Sequence, residues 1–429
     1  MNSDSPGGEV CLRVESHELD NGLRLILQPD PSSPLVSVHV MYHVGSKDEP
    51  RGRTGFAHLF EHLLFQGSVH VAGAQHFRYV EDAGGTANGS TWFDRTNYFE
   101  ALPSHRLDLA LWLEADRMGW FLPTITQEKL DTQREVVKNE RRQSYENRPY
   151  GLAVETMLRT AYPDGHPYRH PTIGYMEDLE AAGLDDVRDF FATFYGPQNA
   201  VLVLAGDFDP ADALGRVERF FGSIPGGPEP PRVEIPAPGP GGERRATLED
   251  RVRVPRVYML FDSPTCLQPD YEASEVTASL LAEGKSSRLY HELVYRRRVA
   301  EEVFAWVWPL EKVGMFWIMA TARPGVGARE LEEALDEAVG RLASEGPDEV
   351  EVSGGRNRVR RRLIAGLGSV AGRADAIAHA AVLRGEPYYV NEAFGRYAAI
   401  ETADIARLAA AILGTENRAV VHVVPSSGP

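Results

Sequence analysis

The chain has little cysteine, no long apolar run and no excess of basic charge. Each shortage removes a class of protein. Two cysteines in 429 residues, Cys11 and Cys266, allow one disulfide at most. That excludes a disulfide framework and a cysteine-based zinc site. No apolar stretch approaches the roughly 18 residues of a membrane span. A net charge of −17, with no basic block, argues against nucleic acid as a main partner. The start, "MNSDSPGGEVCLRVE", lacks the charged-then-apolar pattern of a signal peptide. The expectation is a cytoplasmic chain, although one trimmed of a leader would read the same.

What is present is a globular composition, 43% hydrophobic and 25% charged, in a length that calls for at least two domains. The stretch "SIPGGPEPPRVEIPAPGPGGERR" (223–245) is dense in proline and glycine and reads as a stiff linker. Domains are therefore expected at 1–224 and 246–429, joined by 225–245. The halves look duplicated. "LDDVRDFFATFYGPQNAVLVLAGDFD" (184–209) and "TADIARLAAAILGTENRAVVHVVP" (402–425) share the order helix, turn, apolar strand. At an offset of 218 they align without a gap, with Asp186 on Asp404, Gly196 on Gly414 and Asn199 on Asn417. Strand-like runs at 22–30, 35–46, 257–264 and 314–324 alternate with helical runs at 104–121 and 328–344. The fold class expected is α+β, a largely antiparallel sheet covered by helices, occurring twice.

One stretch carries chemistry. In "GRTGFAHLFEHLLFQGS", Phe56, Leu59, Leu63 and Leu64 can pack one face of a helix. At about 100° per residue, His58, Glu61 and His62 then share the other. Two imidazoles at i and i+4 can hold one ion, and zinc suits them. Zinc lowers the pKa of a bound water toward 7, and the adjacent carboxylate can take its proton. Three polar side chains buried together without partners would cost several kcal/mol, which disfavours a purely structural role. A third ligand must come from elsewhere. The charged helix "EKLDTQREVVKNERRQSYENRPYG" (128–151), with Val136 and Val137 as its apolar points, offers Glu135 and Glu140, and pattern alone favours neither.

These residues carry a resemblance. "HLFEH" reverses the HExxH motif and is the inverzincin signature. The chain resembles the pitrilysin-type zinc peptidases along its whole length, through "HLFEHLLFQGS", "GGTANGSTWFDRTNYFEALP" (84–103), "QREVVKNERRQ" (133–143) and "HPYRHPTIGYMEDL" (166–179). It is similar to the short subfamily, that of the mitochondrial processing peptidase subunits, whose chains work in pairs. The resemblance implies two similar domains facing each other across a cavity and a zinc endopeptidase acting on short or unstructured peptides. It makes His58, His62 and Glu140 the zinc ligands and Glu61 the general base. Gln133 stands where the family often has a second glutamate beside the ligands, and it cannot supply charge. Asn88, Gly89 and Ser90 lie on a segment resembling the family's edge strand, to which substrate adds as an extra strand.

The second half departs from the pattern. Active members use an arginine and a tyrosine seven residues apart, which hold the substrate and stabilise the oxyanion. The matching stretch, "LVYRRRVAEEV" (293–303), places Val294 and Glu301 there. The expectation is a catalytic chain completed by a homologous partner that carries the Arg/Tyr pair, in a heterodimer. A homodimer using the arginines of "YRRR", or a non-catalytic subunit of a processing-peptidase-like complex, are the alternatives.

Overall fold

The computed structural model describes residues 11–73, 75–235 and 241–426. Residues 236–240 of the expected linker lie outside the described residues. Six strands form the first sheet: β1 Glu15–Glu18, β2 Arg24–Pro29, β3 Leu35–Tyr42, β4 Thr86–Thr91, β5 Thr96–Pro103 and β6 Ala200–Gly206. Their order is β1-β2-β6-β3-β5-β4, so β4 is an edge. Five strands form the second: β7 Arg244–Asp250, β8 Arg256–Asp262, β9 Ala300–Trp308, β10 Met315–Ala322 and β11 Arg418–Pro425, in the order β7-β11-β8-β10-β9. Each sheet has one parallel pair, β2–β6 and β7–β11, and is otherwise antiparallel. The second order is the first without its outermost strand.

The duplication reaches single hydrogen bonds. Asp186 caps its helix by accepting the Gly183 N–H at 3.0 Å, and Asp404 accepts the Glu401 N–H at 3.0 Å. The amide of Asn199 donates to the Phe194 carbonyl at the helix end (2.8 Å), and that of Asn417 to the Ile412 carbonyl (3.1 Å). All four pairs keep the offset of 218. These side chains satisfy helix-terminal groups that would otherwise be orphaned.

The described residues pack into two compact units. Of these residues, the first unit holds those within 11–139, 172–234 and 364–393; the second holds those within 140–171, 235–363 and 394–426. The proline-rich seam separates the two sheets, but two helical segments cross it. Helix Val370–His379 buries Val370, Ala374, Ile377 and Ala378 in the first unit, against β3 and β6. Helix Ala153–Ala161 buries Ala153, Met157, Leu158 and Ala161 in the second, against β11 and β7.

The first four α-helices among the described residues are α1 Phe56–Leu63, α2 Gln75–Asp82, α3 Leu107–Trp120 and α4 Gln127–Arg141. α4 runs across the unit boundary without a break. Its buried positions are Leu130, Gln133, Val137, Lys138 and Arg141, whereas Val136, read from the sequence as a second apolar point, is 43% exposed. The possible disulfide does not form: Cys11 is exposed, Cys266 is buried, and neither is in a disulfide. Among the described residues no helix is long and apolar enough to cross a membrane.

Candidate metal centre and substrate edge

α1 begins at Gly55, whose φ of +89° is readily open only to glycine. The half-buried Glu49 carboxylate accepts the N–H groups of Gly55 and Ala57, each at 2.8 Å, and so caps the helix start. Burial pushes its pKa well above the usual carboxylate range. Phe56, Ala57, Leu59, Phe60 and Leu63 turn inward; His58, Glu61 and His62 share the half-exposed face. The two imidazoles meet edge to face, ring centres 4.8 Å apart.

Glu140 stands in the last turn of α4, just before a wider π-type turn at Arg142–Glu146. One donor atom each from His58, His62 and Glu140 lies within 4.8 Å of the others. Ligands about 2.0–2.2 Å from a tetrahedral zinc stand roughly 3.3–3.6 Å apart, so small side-chain adjustments close this set on an ion. Two imidazoles and a carboxylate, all half-exposed, fit zinc by chemistry and by access. Glu135 is outside the set and pairs with Lys138 at 2.9 Å. Gln133 is buried two turns before Glu140 on the same helix.

Glu61 is oriented from the edge strand: the Thr91 hydroxyl donates to its Oε2 at 2.6 Å. Trp92 N–H donates to the Arg95 carbonyl, which sets the phase of the β4–β5 ladder. By antiparallel alternation the backbone groups of Asn88 and Ser90 face β5, while those of Ala87, Gly89 and Thr91 face outward. Of the three residues expected on the substrate edge, only Gly89 therefore offers main-chain groups to an added strand. Its N–H is held at 2.9 Å by the side-chain oxygen of Asn88. Ser90 bonds instead to Asn97 (2.6 Å) and receives Arg95 on its hydroxyl and its carbonyl, both at 2.7 Å. A Cβ on Gly89 would come within 3.1 Å of Glu61 Cγ, Phe65 Cε2 and the Asn97 carbonyl. Glycine lets the edge strand lie directly on the Glu61 side chain.

Sequence reasoning missed Thr91 and Glu49. Thr91 had a signal, since it lies two residues beyond Gly89 on the same face. Glu49 had none, because it caps through a six-residue loop rather than at a motif spacing.

In the second unit, Val294 is buried and Glu301 exposed. Arg296 and Arg297 both pair with Glu292, at 3.2 and 2.6 Å. Tyr295 is 71% exposed and stacks on His291. Arg298 is exposed, with a φ of +59°.

A repeated mixed sheet with an HxxEH helix and a downstream glutamate defines the class, and comparison with known proteins gives the family. Residues 24–174 match the family model described as Insulinase (Peptidase family M16), and residues 182–359 match that described as Peptidase M16 inactive domain. Zinc protease PqqE of Helicobacter pylori is 32% identical over 325 residues, 75% of this chain and 72% of that protein. The probable mitochondrial-processing peptidase subunit beta of Arabidopsis thaliana is 22% identical over 418 residues, 95% and 77% of the two chains. A crystal structure of a protease from Helicobacter pylori matches with a TM-score of 0.92 and 27% identity, covering 97% of this chain and 100% of that one. The chain belongs to the M16 peptidase family.

Proposed function

We propose that this chain is a zinc-dependent endopeptidase subunit that hydrolyses short or unstructured peptides, and the catalytic member of a two-chain enzyme. The observation that carries the reading is the convergence of His58, His62 and Glu140 beside a glutamate, Glu61, that is fastened to the edge strand. His58, His62 and Glu140 would hold the zinc. When bound, the ion supplies Lewis acidity, which acidifies water and polarises a carbonyl. The outward main-chain groups of Ala87, Gly89 and Thr91 receive an extended peptide as an added strand. To do so, Gly89 exchanges the Asn88 side chain for a substrate carbonyl. Glu61, kept in place by Thr91, takes the proton of the attacking water and hands it to the leaving amine.

The partner follows from the second unit. Buried Val294 cannot hold a substrate, and Glu301 would repel an oxyanion. A homologous chain carrying the Arg/Tyr pair would supply that stabilisation. A non-catalytic binding subunit is the second reading, and the same Val294 and Glu301 favour it; the intact HxxEH and Glu140 weigh against it. The test is Glu61→Gln. It should keep the metal and lower peptide cleavage by about 10²-fold or more. Cleavage near the wild-type rate would remove Glu61 from the mechanism.

A further inference from the structure

Behind the substrate edge lies a second group of titratable side chains that the mechanism does not use. His76 of α2, Glu100 of β5, and Glu114 and Arg117 of α3 are all buried. His76 Nε2 meets Glu100 at 2.8 Å, and Arg117 lies against Glu114 and 3.5 Å from Glu100. Donors from His76, Glu100 and Glu114 come within 4.8 Å of one another, as a metal site's would. The cation among them, however, is the Arg117 guanidinium, which already pairs with both carboxylates. Burial, with Arg117 adding to it, drives the His76 pKa down to about 3, so the ring is neutral.

Burying this much charge asks for a reason, since an ion network in a core is seldom better for stability than apolar packing. The surroundings supply one. Arg117 lies against two aromatic rings, 4.8 Å from the centre of Phe65 and 4.2 Å from that of Tyr98. Phe65 follows α1 directly. Tyr98 is the cross-strand partner of Gly89. The two rings meet edge to face at 5.6 Å, and the ring edge of Phe65 lies where a side chain on residue 89 would be. A continuous column thus runs from Gly89 through Phe65 and Tyr98 to Arg117, and then to Glu100, Glu114 and His76. It fixes the spacing between the helix that carries Glu61 and the strand that would receive substrate.

We infer that Arg117, clamped by Glu100 and Glu114, is a positioning residue that holds the substrate edge in register with Glu61 through the Phe65 and Tyr98 rings. The inference rests on the peptidase reading above. Two variants test it, each assayed with whatever partner the wild type requires. Arg117→Lys keeps a cation but loses the planar group that lies against the two rings. Phe65→Leu leaves the ion network whole and breaks the column above it. Each should retain full zinc, keep KM within about threefold and lose about 10- to 100-fold in kcat, since misplacement of about 1 Å can cost 10²-fold. In the metal-free proteins, amide exchange at residues 87–91 should quicken about tenfold or more. Lowered thermal stability with unchanged kcat and unchanged exchange at 87–91 would mean a purely structural network and overturn the inference. If Arg117→Lys does not fold, Phe65→Leu decides alone. Should the wild type itself show no zinc-dependent turnover, the peptidase reading fails, while the exchange experiment still decides whether the column holds the edge.

Discussion

Replacing Gly89 by alanine adds one methyl group at the point where the edge strand meets the proposed base. The added carbon would stand 3.1 Å from three atoms, whereas ordinary contacts begin near 3.4 Å, so each neighbour must yield by a few tenths of an ångström. The Asn97 carbonyl belongs to β5 and is held by the sheet. Phe65 is buried over Arg117. The Glu61 side chain is the softest of the three, and it moves first. Overpacking of this kind costs about 1–3 kcal/mol, and the lower end applies at a half-buried edge strand. A shift of a few tenths of an ångström in a general base should lower kcat by about tenfold. Zinc content should not change, because none of the three atoms nearest the methyl group belongs to His58, His62 or Glu140. The assay is zinc analysis, thermal melting and turnover of an unstructured peptide on wild type and Gly89→Ala side by side. Wild-type kcat in a variant with full zinc would refute the placement of β4 against Glu61.

Three further outcomes are expected. The chain purified alone should turn over an unstructured peptide about 10²–10³-fold more slowly than with a homologous chain bearing the Arg/Tyr pair, the usual loss for a missing oxyanion donor; full activity alone, unchanged by the partner, would reject the split site. Acid should weaken the fold through His39, whose pKa burial lowers to about 4 from the ordinary 6.5. The unfolded chain then binds the extra proton between those values, so stability falls as pH drops from 6.5 toward 4, by about 2 kcal/mol at pH 5. His39→Gln should remove that part of the slope in denaturant titrations at pH 7 and pH 5; an identical slope would show that His39 is not the group. Thr91→Val should keep zinc and lower kcat severalfold through loss of the Glu61 hydrogen bond, and an unchanged kcat would mean that the bond does not orient the base.

How much of this could be read from the chain depended on distance along it. The HxxEH face was legible because both histidines and the glutamate lie within five residues on one helix, where the period alone fixes direction. The duplication was legible because Asp186, Asn199 and their counterparts each do a local job, capping or closing one helix, and so keep their spacing. The crossing helices were not legible. Nothing local in residues 153–161 says which sheet their apolar face will meet; burial against β7 and β11 decides that. The choice between Glu135 and Glu140 had the same difficulty. Both sit on one charged helix, and only the buried positions, Leu130, Gln133, Val137, Lys138 and Arg141, show how that helix is turned. The buried quartet around Arg117 was hidden further still, spread over three elements and more than forty residues.

Zinc stoichiometry tests the central claim most directly, measured on the wild type and on Glu135→Gln and Glu140→Gln after identical purification. About one zinc per chain is expected in the wild type and in Glu135→Gln, with loss of most of the metal from Glu140→Gln. Full zinc in Glu140→Gln, or none in the wild type after zinc is supplied, would contradict the site built from His58, His62 and Glu140.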